Sequence, residues 1–285
     1  MPEIDLEPIR AKLGAKIIEE DVATAAPLRG MAVTFDRDER PPVEGEPIPP
    51  GWHLAYFPAA SRLASLGADG LPLEGGVLPA MPLPRRMYAG ATLTFHAPIL
   101  VGDKLRRETE FSGVHLRKGG TGTLIVATQT RRIHTPRGLA LTEDSVSVFR
   151  EAVAPGTPSG IPQTEPPPPD MTWTRAIVPD PVSLFRYSAL TFNPHRIHYD
   201  RPYAMTVEGY PGLVVHGPYS QQCLLDLLRD NTARPIATFA MRARAPIFDG
   251  APFTVHGRMS GPNDAELHAV PAGGGIAMQA KATPN

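Results

Sequence analysis

A short internal repeat constrains the fold of this chain more than any other feature of its sequence. The segments LTFHAPILVGDKL (residues 93–105) and MRARAPIFDGAPF (residues 241–253) each hold an apolar stretch, then Ala-Pro-Ile, then a glycine four residues after the proline. A constant offset of 148 residues pairs Ala97 with Ala245. Runs of alternating or β-branched residues follow both copies, as is typical of antiparallel sheets. The repeat predicts two similar β-rich units, each with the same turn.

A proline-rich segment lies between the two copies. The chain has 34 prolines in 285 residues, about 12% against a usual ~5%. They concentrate in VAPGTPSGIPQTEPPPPD, residues 153–170, a composition typical of a stiff, extended linker. We expect domains at 1–152 and 171–285 joined by this linker. The alternative is a long surface loop within a single domain.

Composition and charge exclude several classes of protein. Basic residues number 28 and acidic residues 29, so no global field recruits nucleic acid or a membrane surface. The amino terminus has no signal-like pattern, and no apolar run approaches the ~18 residues of a membrane span. We expect a soluble cytoplasmic protein. The single cysteine, Cys223, excludes an internal disulfide and lies in the apolar run CLLDLL, which indicates a buried, inert thiol.

Two helices are indicated in the second half of the chain. HGPYSQQCLLDLLRD places Gly217 before Pro218 at a first-turn position and continues with an apolar stripe, which predicts a core helix. PDPVSLFRYSAL offers Asp180 as the cap of a shorter helix with Pro181 in its first turn. An antiparallel sheet wrapped around one central helix makes the expected fold class α+β.

The segments YSALTFNPHRIH, DRPYA and GLVVHGPYSQQ resemble, in this order, the MaoC-like (R)-specific enoyl-CoA hydratases and dehydratases of the hot-dog fold. That family carries S-G-D-x-N-P-x-H, then an acidic-x-x-Ala tail, then His-Gly at the start of the central helix. Here Asn193-Pro194 matches the N-P step, His198 the histidine, and His216-Gly217 the start of the helix. The resemblance covers nearly all of the second half.

The first half also resembles this family. PLPRRMYAGATLTFHAPILVGDKL and GLALTEDSVSVFRE are similar to the degenerate N-terminal hot dog of a narrower branch. That branch contains mesaconyl-C4-CoA (3-methylfumaryl-CoA) hydratases, itaconyl-CoA hydratases and mitochondrial-type 3-hydroxyacyl-thioester dehydratases. The resemblance implies a double hot-dog fold, two sheets each wrapped around a helix, with the first repeat degenerate. It implies a first half that shapes the substrate or CoA pocket, and one active site per chain, in the second half.

Two departures from the general family pattern affect the catalytic assignment. The family aspartate two residues before the asparagine is Thr191 here, and two additional residues separate Pro194 from His198. The segment TFN followed by HRIH is similar to the narrower branch itself. The aspartate–histidine dyad therefore does not transfer, and the general acid stays unassigned.

Hydration of an enoyl thioester needs a base for water, an acid for the α carbon, and donors for the enolate oxygen. Histidine suits the first role, so His198 is the candidate base. Asn193 could orient the water or the histidine, and Thr191 could contribute a hydroxyl. The alternative for His198 is a structural tie within the loop, and an Asn-Pro step is also a common turn signal.

The start of the central helix offers donors for the thioester oxygen. Helix N-termini carry unpaired N–H groups and partial positive charge. Pro218 has no N–H, so Gly217 and Tyr219 supply the candidate donors. Gly217 could instead be only a small residue at a crowded helix start.

The same loop also carries a pattern that could bind a metal. His195, His198 and Asp200 form an H-x-x-H-x-D pattern, and imidazole with carboxylate suits zinc or iron. The spacing is weak evidence and no further ligand is evident, so no metal is expected.

Basic residues are candidates for the anionic parts of a CoA substrate. Arg85, Arg86, Arg117 and Lys118 could contact CoA phosphates, or could be solvated surface charges. Arg196, inside the candidate loop, could hold the free carboxylate of a dicarboxylic acyl group, or could brace the loop.

The expected function is a hydratase that acts reversibly on an enoyl-CoA, most favourably mesaconyl-C4-CoA or itaconyl-CoA. No cofactor is expected, since coenzyme A is part of the substrate, and a homodimer is possible. Alternatives are a 3-hydroxyacyl-thioester dehydratase of fatty acyl chains, a thioesterase, and a non-catalytic acyl-CoA binding protein.

Overall fold

Ten antiparallel strands form one continuous sheet in the computed structural model, which describes residues 4–59, 61–73, 76–119, 122–152 and 157–285. The strands are β1 Lys16–Val22, β2 Arg85–Phe95, β3 Lys104–Gly119, β4 Gly122–Thr135, β5 Gly138–Arg150, β6 Trp173–Ile177, β7 Ile236–Ala243, β8 Phe253–Met259, β9 Ala265–Pro271 and β10 Met278–Pro284. Their order across the sheet is β1-β3-β4-β5-β2-β7-β10-β9-β8-β6.

Helices and short 3-10 turns lie between the strands. The α-helices are α1 Glu7–Arg10, α2 Ala25–Thr34, α3 Pro181–Leu190, α4 Arg201–Thr206 and α5 Gly217–Asn231. The 3-10 turns are Trp52–Ala55, Leu63–Ser65 and Arg196–His198. Among the described residues, no helix is both long and apolar enough to span a bilayer.

The sequence repeat corresponds to a repeated turn in the structure. The N–H of Ala97 donates to the carbonyl of Ala140, and the N–H of Ala245 donates to the carbonyl of Ala277. The glycine of each copy has a left-handed backbone, with φ of +98° and +84°. Each turn leads out of one of the two central strands, β2 and β7, which pair with each other. The prediction of equivalent β-rich units is confirmed, and the β2–β7 pair joins them into one sheet.

Helix α5 is the central helix of the second half. Ten consecutive residues from Tyr219 to Leu228 are buried, and the helix packs against β2, β6, β8, β9 and β10. Pro218 occupies the first turn, where its missing N–H costs nothing. The predicted core helix is confirmed. Cys223 is buried in it, and burial raises the pKa of its thiol well above the ordinary value, as expected of an inert cysteine.

Helix α3 begins where the sequence predicts. Asp180 accepts a hydrogen bond from the Ser183 N–H, and the Ser183 hydroxyl accepts one from the Asp180 N–H, which forms a reciprocal capping box. This cap fixes the start of α3 and hence the point at which the chain leaves it for the candidate loop.

The part of the first half that the structure describes has no equivalent of α5. Among its described residues the longest helix is α2, with 10 residues against 15 in α5, and α2 packs on α3. The sheet of this half carries its own apolar cluster, which contains Leu6, Ile9, Val77, Leu78, Leu83, Phe111, Val114, Ile125, Ala127 and Phe149. The inner face of this half is therefore covered by loops and short helices instead of a long helix.

The proline-rich segment crosses the surface of the second half. Residues 157–170 have no helix or strand, while 153–156 lie outside the described residues. The Ser159 N–H donates to the Gly209 carbonyl at 2.7 Å, and the Ile276 N–H donates to the Glu165 carbonyl at 2.8 Å. The segment is thus extended and attached at two points.

Candidate active site

The candidate loop begins with a tight turn at the end of α3. The N–H of Asn193 donates to the carbonyl of Ser188 at 2.8 Å, and that of Phe192 donates to Ala189. Phe192 has a φ of +49°, the left-handed position that glycine usually occupies in such a turn. The Thr191 hydroxyl donates to the Tyr187 carbonyl at 2.7 Å. Thr191 is therefore the C-cap of α3, and its hydroxyl donates its proton to a backbone carbonyl.

Asn193 shapes the next step of the loop. Its Oδ1 accepts a hydrogen bond from the His195 N–H at 3.1 Å. The Arg196–His198 3-10 turn follows, and the Tyr199 hydroxyl donates to the Pro194 carbonyl at 3.0 Å. The side chain of Asn193 thus supports the local turn, which is the structural alternative for the Asn-Pro step.

His198 lies buried at the centre of the site. Its Nδ1 is 2.7 Å from the carbonyl oxygen of Val214, which only accepts, so Nδ1 carries the proton. Burial lowers the pKa of His198 to about 4, although the bond to Val214 acts in the opposite direction. At neutral pH the ring is therefore uncharged, and Nε2 has the free lone pair that a general base requires.

His216 supports His198 from the helix side. The two rings stack with centroids 3.6 Å apart and planes 19° apart. His216 Nε2 forms a 2.8 Å hydrogen bond with the Ser188 hydroxyl, and the edge of the Tyr187 ring lies nearby. Burial, with smaller effects of His198 and His195, lowers the pKa of His216 well below its ordinary value. The stack places the candidate base beside the residue that precedes Gly217.

Gly217 begins α5 in a crowded position. A Cβ at this residue would lie 2.2 Å from Cδ1 of Tyr88, so only glycine fits against the ring. The Tyr88 hydroxyl donates to Gln221 Oε1 at 2.8 Å, which holds the ring in place. The start of α5 is therefore crowded at Gly217, and the donor role of its N–H stays a prediction.

Tyr219 contributes only its backbone to this end of the helix. Its ring is buried against Phe35 and Tyr187, with centroid distances of 4.7 and 5.4 Å. The side chain therefore belongs to the core. The N–H groups of Gly217 and Tyr219 lie in the first turn, ahead of the first N–H that bonds within the helix, that of Ser220.

The H-x-x-H-x-D pattern does not form a cluster of ligands. The rings of His195 and His198 meet edge to face, with centroids 5.4 Å apart. Asp200 instead accepts hydrogen bonds from the Tyr203 N–H, as the cap of α4, and from Arg196. Within the part of the chain that the structure describes, no group of three or more His, Cys, Asp or Glu side chains could hold a metal ion.

Arg196 braces the loop. Its Nε and Nη2 donate to Oδ2 of Asp200 at 3.0 and 2.7 Å, and its Nη1 donates to the Ala68 carbonyl at 2.8 Å. The guanidinium also lies over the Tyr203 ring, 4.1 Å from its centroid. Because all three nitrogens donate to the protein, the structure favours the bracing role over the binding of a substrate carboxylate.

Arg85 and Arg86 lie side by side at the start of β2 and line one small cavity together with His195. Arg85 is buried and forms an ion pair with Glu208. Arg86 donates from Nε to the Ser147 hydroxyl at 3.2 Å. Arg85 and Arg86 therefore lie inside the protein, whereas residues that contact CoA phosphates are expected at the surface.

The other two basic candidates lie elsewhere. Arg117 is exposed on β3, and the side chain of Lys118 lies outside the described residues. The structure therefore does not bring these two together with the histidine loop.

Three contributors to the site were missed by sequence reasoning. Tyr88 packs on Gly217, Ser188 bonds His216, and the Val214 carbonyl fixes the His198 tautomer. Tyr88 follows Arg86 by two residues in β2 and so points to the same face, but no strand is predicted there from the sequence. Ser188 and Val214 carry no local signal either.

Comparison with known proteins finds relatives over most of the chain. Residues 51–249 match the family of hydroxyacyl-thioester dehydratases type 2. The chain is 42% identical over 263 residues to mesaconyl-C(4)-CoA hydratase of Chloroflexus aurantiacus, with 92% of each chain covered.

Solved structures establish the fold. A MaoC-like dehydratase from Phytophthora capsici superposes with a TM-score of 0.69 at 15% identity, covering 99% of this chain and 98% of that one. A Mycobacterium tuberculosis protein described as having a double hotdog fold gives a TM-score of 0.58 at 13% identity, with 96% of each chain covered. The predicted double hot-dog fold is confirmed. The chain belongs to the hydroxyacyl-thioester dehydratase type 2 family of MaoC-like hydro-lyases.

Proposed function

We propose that this enzyme adds water reversibly to the double bond of mesaconyl-C4-CoA. The observation that carries the proposal is the buried, uncharged His198, whose Nδ1–H is held by Val214 next to the start of α5. The 42% identity to a mesaconyl-C(4)-CoA hydratase over nearly the whole chain supports the choice of acyl group.

The proposed mechanism uses one imidazole twice. His198 Nε2 takes a proton from water as the oxygen attacks the β carbon, and electrons move onto the thioester oxygen. The N–H groups of Gly217 and Tyr219 stabilise the enolate at the helix N-terminus. The imidazolium then returns the proton to the α carbon. Because burial disfavours the charged ring, this proton is readily given up, so one residue can serve as base and acid.

Neighbouring residues position this chemistry in our proposal. Asn193 holds the loop turn, His216 supports the His198 ring, and Thr191 offers only hydroxyl lone pairs because its proton is bound to Tyr187. We propose that no cofactor takes part beyond the CoA portion of the substrate.

The organisation of the whole protein is also a proposal. Residues 171–285 would carry the chemistry, residues 1–152 would shape the acyl or CoA pocket, and 153–170 would link them. We propose a cytoplasmic location, which fractionation of cells would test, and a homodimer, which sedimentation of the purified protein would test.

A second candidate is dehydration of 3-hydroxyacyl thioesters of fatty acids, favoured by the match to the type 2 dehydratase family. Itaconyl-CoA is a further candidate substrate. The candidate functions differ in the acyl group of the substrate and share the reversible addition of water. A comparison of the hydration rates of these substrates therefore distinguishes them.

The test follows the enoyl-thioester absorbance and the free thiol together, with mesaconyl-C4-CoA, itaconyl-CoA, crotonyl-CoA and a long-chain enoyl-CoA. We expect loss of absorbance without thiol release, fastest with mesaconyl-C4-CoA. Release of thiol would indicate a thioesterase. Unchanged absorbance with all four substrates, despite binding, would indicate a non-catalytic acyl-CoA binding protein.

A further inference from the structure

The inner face of the first half carries a polar band, a set of polar side chains that lie among apolar residues. The strand register places the following side chains on one face: Arg86 and Tyr88 of β2, Arg107 and Thr109 of β3, Gln129 and Arg131 of β4, and Glu143, Ser145 and Ser147 of β5. Apolar side chains lie among them on the same face: Phe149 is opposite Arg86, Ile133 is opposite Arg107, and Leu93 is opposite Glu143. A wall that accommodates an alkyl chain would be apolar throughout, because unpaired polar groups are costly beside hydrocarbon.

The polar band carries more positive than negative charge. Arg107 pairs with Glu19 of β1, and Arg131 pairs with Glu143. Arg86 is the remaining arginine, and among the described residues it has no carboxylate within ion-pair distance. Its Nε donates to the Ser147 hydroxyl, and its guanidinium lies 5.9 Å from the Phe149 ring centroid.

The charges that face Arg86 do not neutralise it. Burial lowers the pKa of Arg86 to about 10, with a further contribution from the like charge of Arg131 and an opposing one from Asp69. The side chain is therefore still cationic at neutral pH. Asp69 lines the same cavity, and its Oδ1 accepts the Leu71 N–H. A half-buried cation of this kind suits a ligand with its own negative charge.

Two positional relationships place Arg86 near the candidate catalytic residues. It shares its cavity with His195, whose ring meets the edge of His198. It also lies two residues from Tyr88, the ring that packs on Gly217. Two residues of a strand span roughly 7 Å, so a thioester at Gly217 would place the far end of a short acyl group near Arg86.

We propose that Arg86 is a specificity-determining residue that binds the free carboxylate of a short dicarboxylic acyl-CoA, and that the polar band disfavours fatty acyl chains. The inference rests on the proposed function for the position of the thioester. It replaces Arg196 in that role, and it replaces contact with CoA phosphates as the role of Arg86.

Binding of unreactive analogues tests this inference independently of turnover. Succinyl-CoA has a free carboxylate at the end of its acyl group, whereas butyryl-CoA ends in a methyl group. Isothermal titration would measure both, and free CoA, against the wild type, Arg86→Gln and the control Arg244→Gln, which removes a charge from the exposed surface. Thermal unfolding would verify that each variant is folded.

We expect the wild type to bind succinyl-CoA more tightly than butyryl-CoA. Arg86→Gln should weaken the binding of succinyl-CoA by about 10- to 100-fold, as expected for the loss of a hydrogen bond to a charged group. Butyryl-CoA, free CoA and the control should change by less than about threefold. Equal binding of both analogues by the wild type, or equal weakening of all three ligands by Arg86→Gln, would overturn the inference.

The enoyl-CoA assay on the same samples separates this inference from the proposed function. A retained succinyl-CoA preference without hydration would contradict the proposed function and support the role of Arg86. Hydration without that preference would do the opposite.

Discussion

The imidazole rings of His198 and His216 stack at a centroid distance of 3.6 Å, and both are almost completely shielded from solvent. A charge on either ring would lie against the other and away from water. Burial lowers the pKa of both, and the neighbouring His198 lowers that of His216 further. The pair is therefore held neutral at physiological pH, which leaves His198 Nε2 available to accept a proton.

The pH dependence of activity should report this neutral state. The pKa of His198 is about 4 in the folded protein, so kcat/KM should stay level from pH 8 to about 5 and fall only as pH approaches 4. The measurement is a kcat/KM profile for hydration. An inflection near the ordinary histidine value of ~6.5 would contradict the assignment of His198 as the base.

The free energy of unfolding should fall as the pH is lowered from 8 to about 5, the range over which kcat/KM stays level. Because the folded pKa is below the unfolded value, the unfolded state binds the proton first, and stability is lost as pH falls from ~6.5 towards 4. For His198 alone the loss at pH 5 is roughly 2 kcal/mol. Urea unfolding at pH 8 and pH 5 would measure it. The variant His198→Gln should show a smaller loss; an unchanged loss would argue against a depressed pKa at this residue.

Gly217→Ala should damage the start of α5. The added Cβ would meet the Tyr88 ring at 2.2 Å, and the ring cannot withdraw freely because its hydroxyl is bound to Gln221. We expect a loss of about 1–3 kcal/mol in the free energy of unfolding and a lower kcat. Gly273→Ala, where a Cβ meets open space, is the matched control.

Coupling between the two residues provides a further check on this prediction. In the double variant Gly217→Ala/Tyr88→Leu the smaller side chain at residue 88 relieves the clash. The double variant should therefore lose less free energy of unfolding than the sum of the losses in the two single variants. Strict additivity, measured by urea unfolding, would indicate that the Tyr88 ring is not what excludes a side chain at residue 217.

Arg196→Gln should affect all substrates alike. Arg196 ties the loop to Asp200 and Ala68, and its ion pair is exposed to solvent, so the loss in the free energy of unfolding should be small. A looser loop should lower kcat by a similar factor for mesaconyl-C4-CoA and crotonyl-CoA. A loss confined to the substrate with a free carboxylate would return Arg196 to the carboxylate-binding role.

Much of the framework follows from local sequence signals. Asp180 with Pro181 specifies the start of α3, and Gly217 with Pro218 that of α5. The Asn193-Pro194 step and His198 identify the loop between α3 and α5 as the candidate site. These signals suffice because caps, first-turn prolines and turn residues act over a few positions.

The remaining features depend on contacts between distant parts of the chain. Tyr88 reaches Gly217 only because β2 pairs with β7, and the polar band emerges only when four strands align in register. The bracing role of Arg196 had a local signal, since Asp200 lies four residues later, but its carbonyl partner at Ala68 is remote. Long-range pairing of this kind is not encoded in any single window of sequence.

The most direct test of the account is the hydration rate of His198→Ala beside wild type and the exposed-histidine control His96→Ala, with mesaconyl-C4-CoA at saturation. We predict that kcat falls by about 10²–10⁴-fold in His198→Ala, with KM and the folded state retained, while the control keeps its rate. A kcat within tenfold of the wild type in folded His198→Ala would contradict the central claim that this imidazole moves the proton.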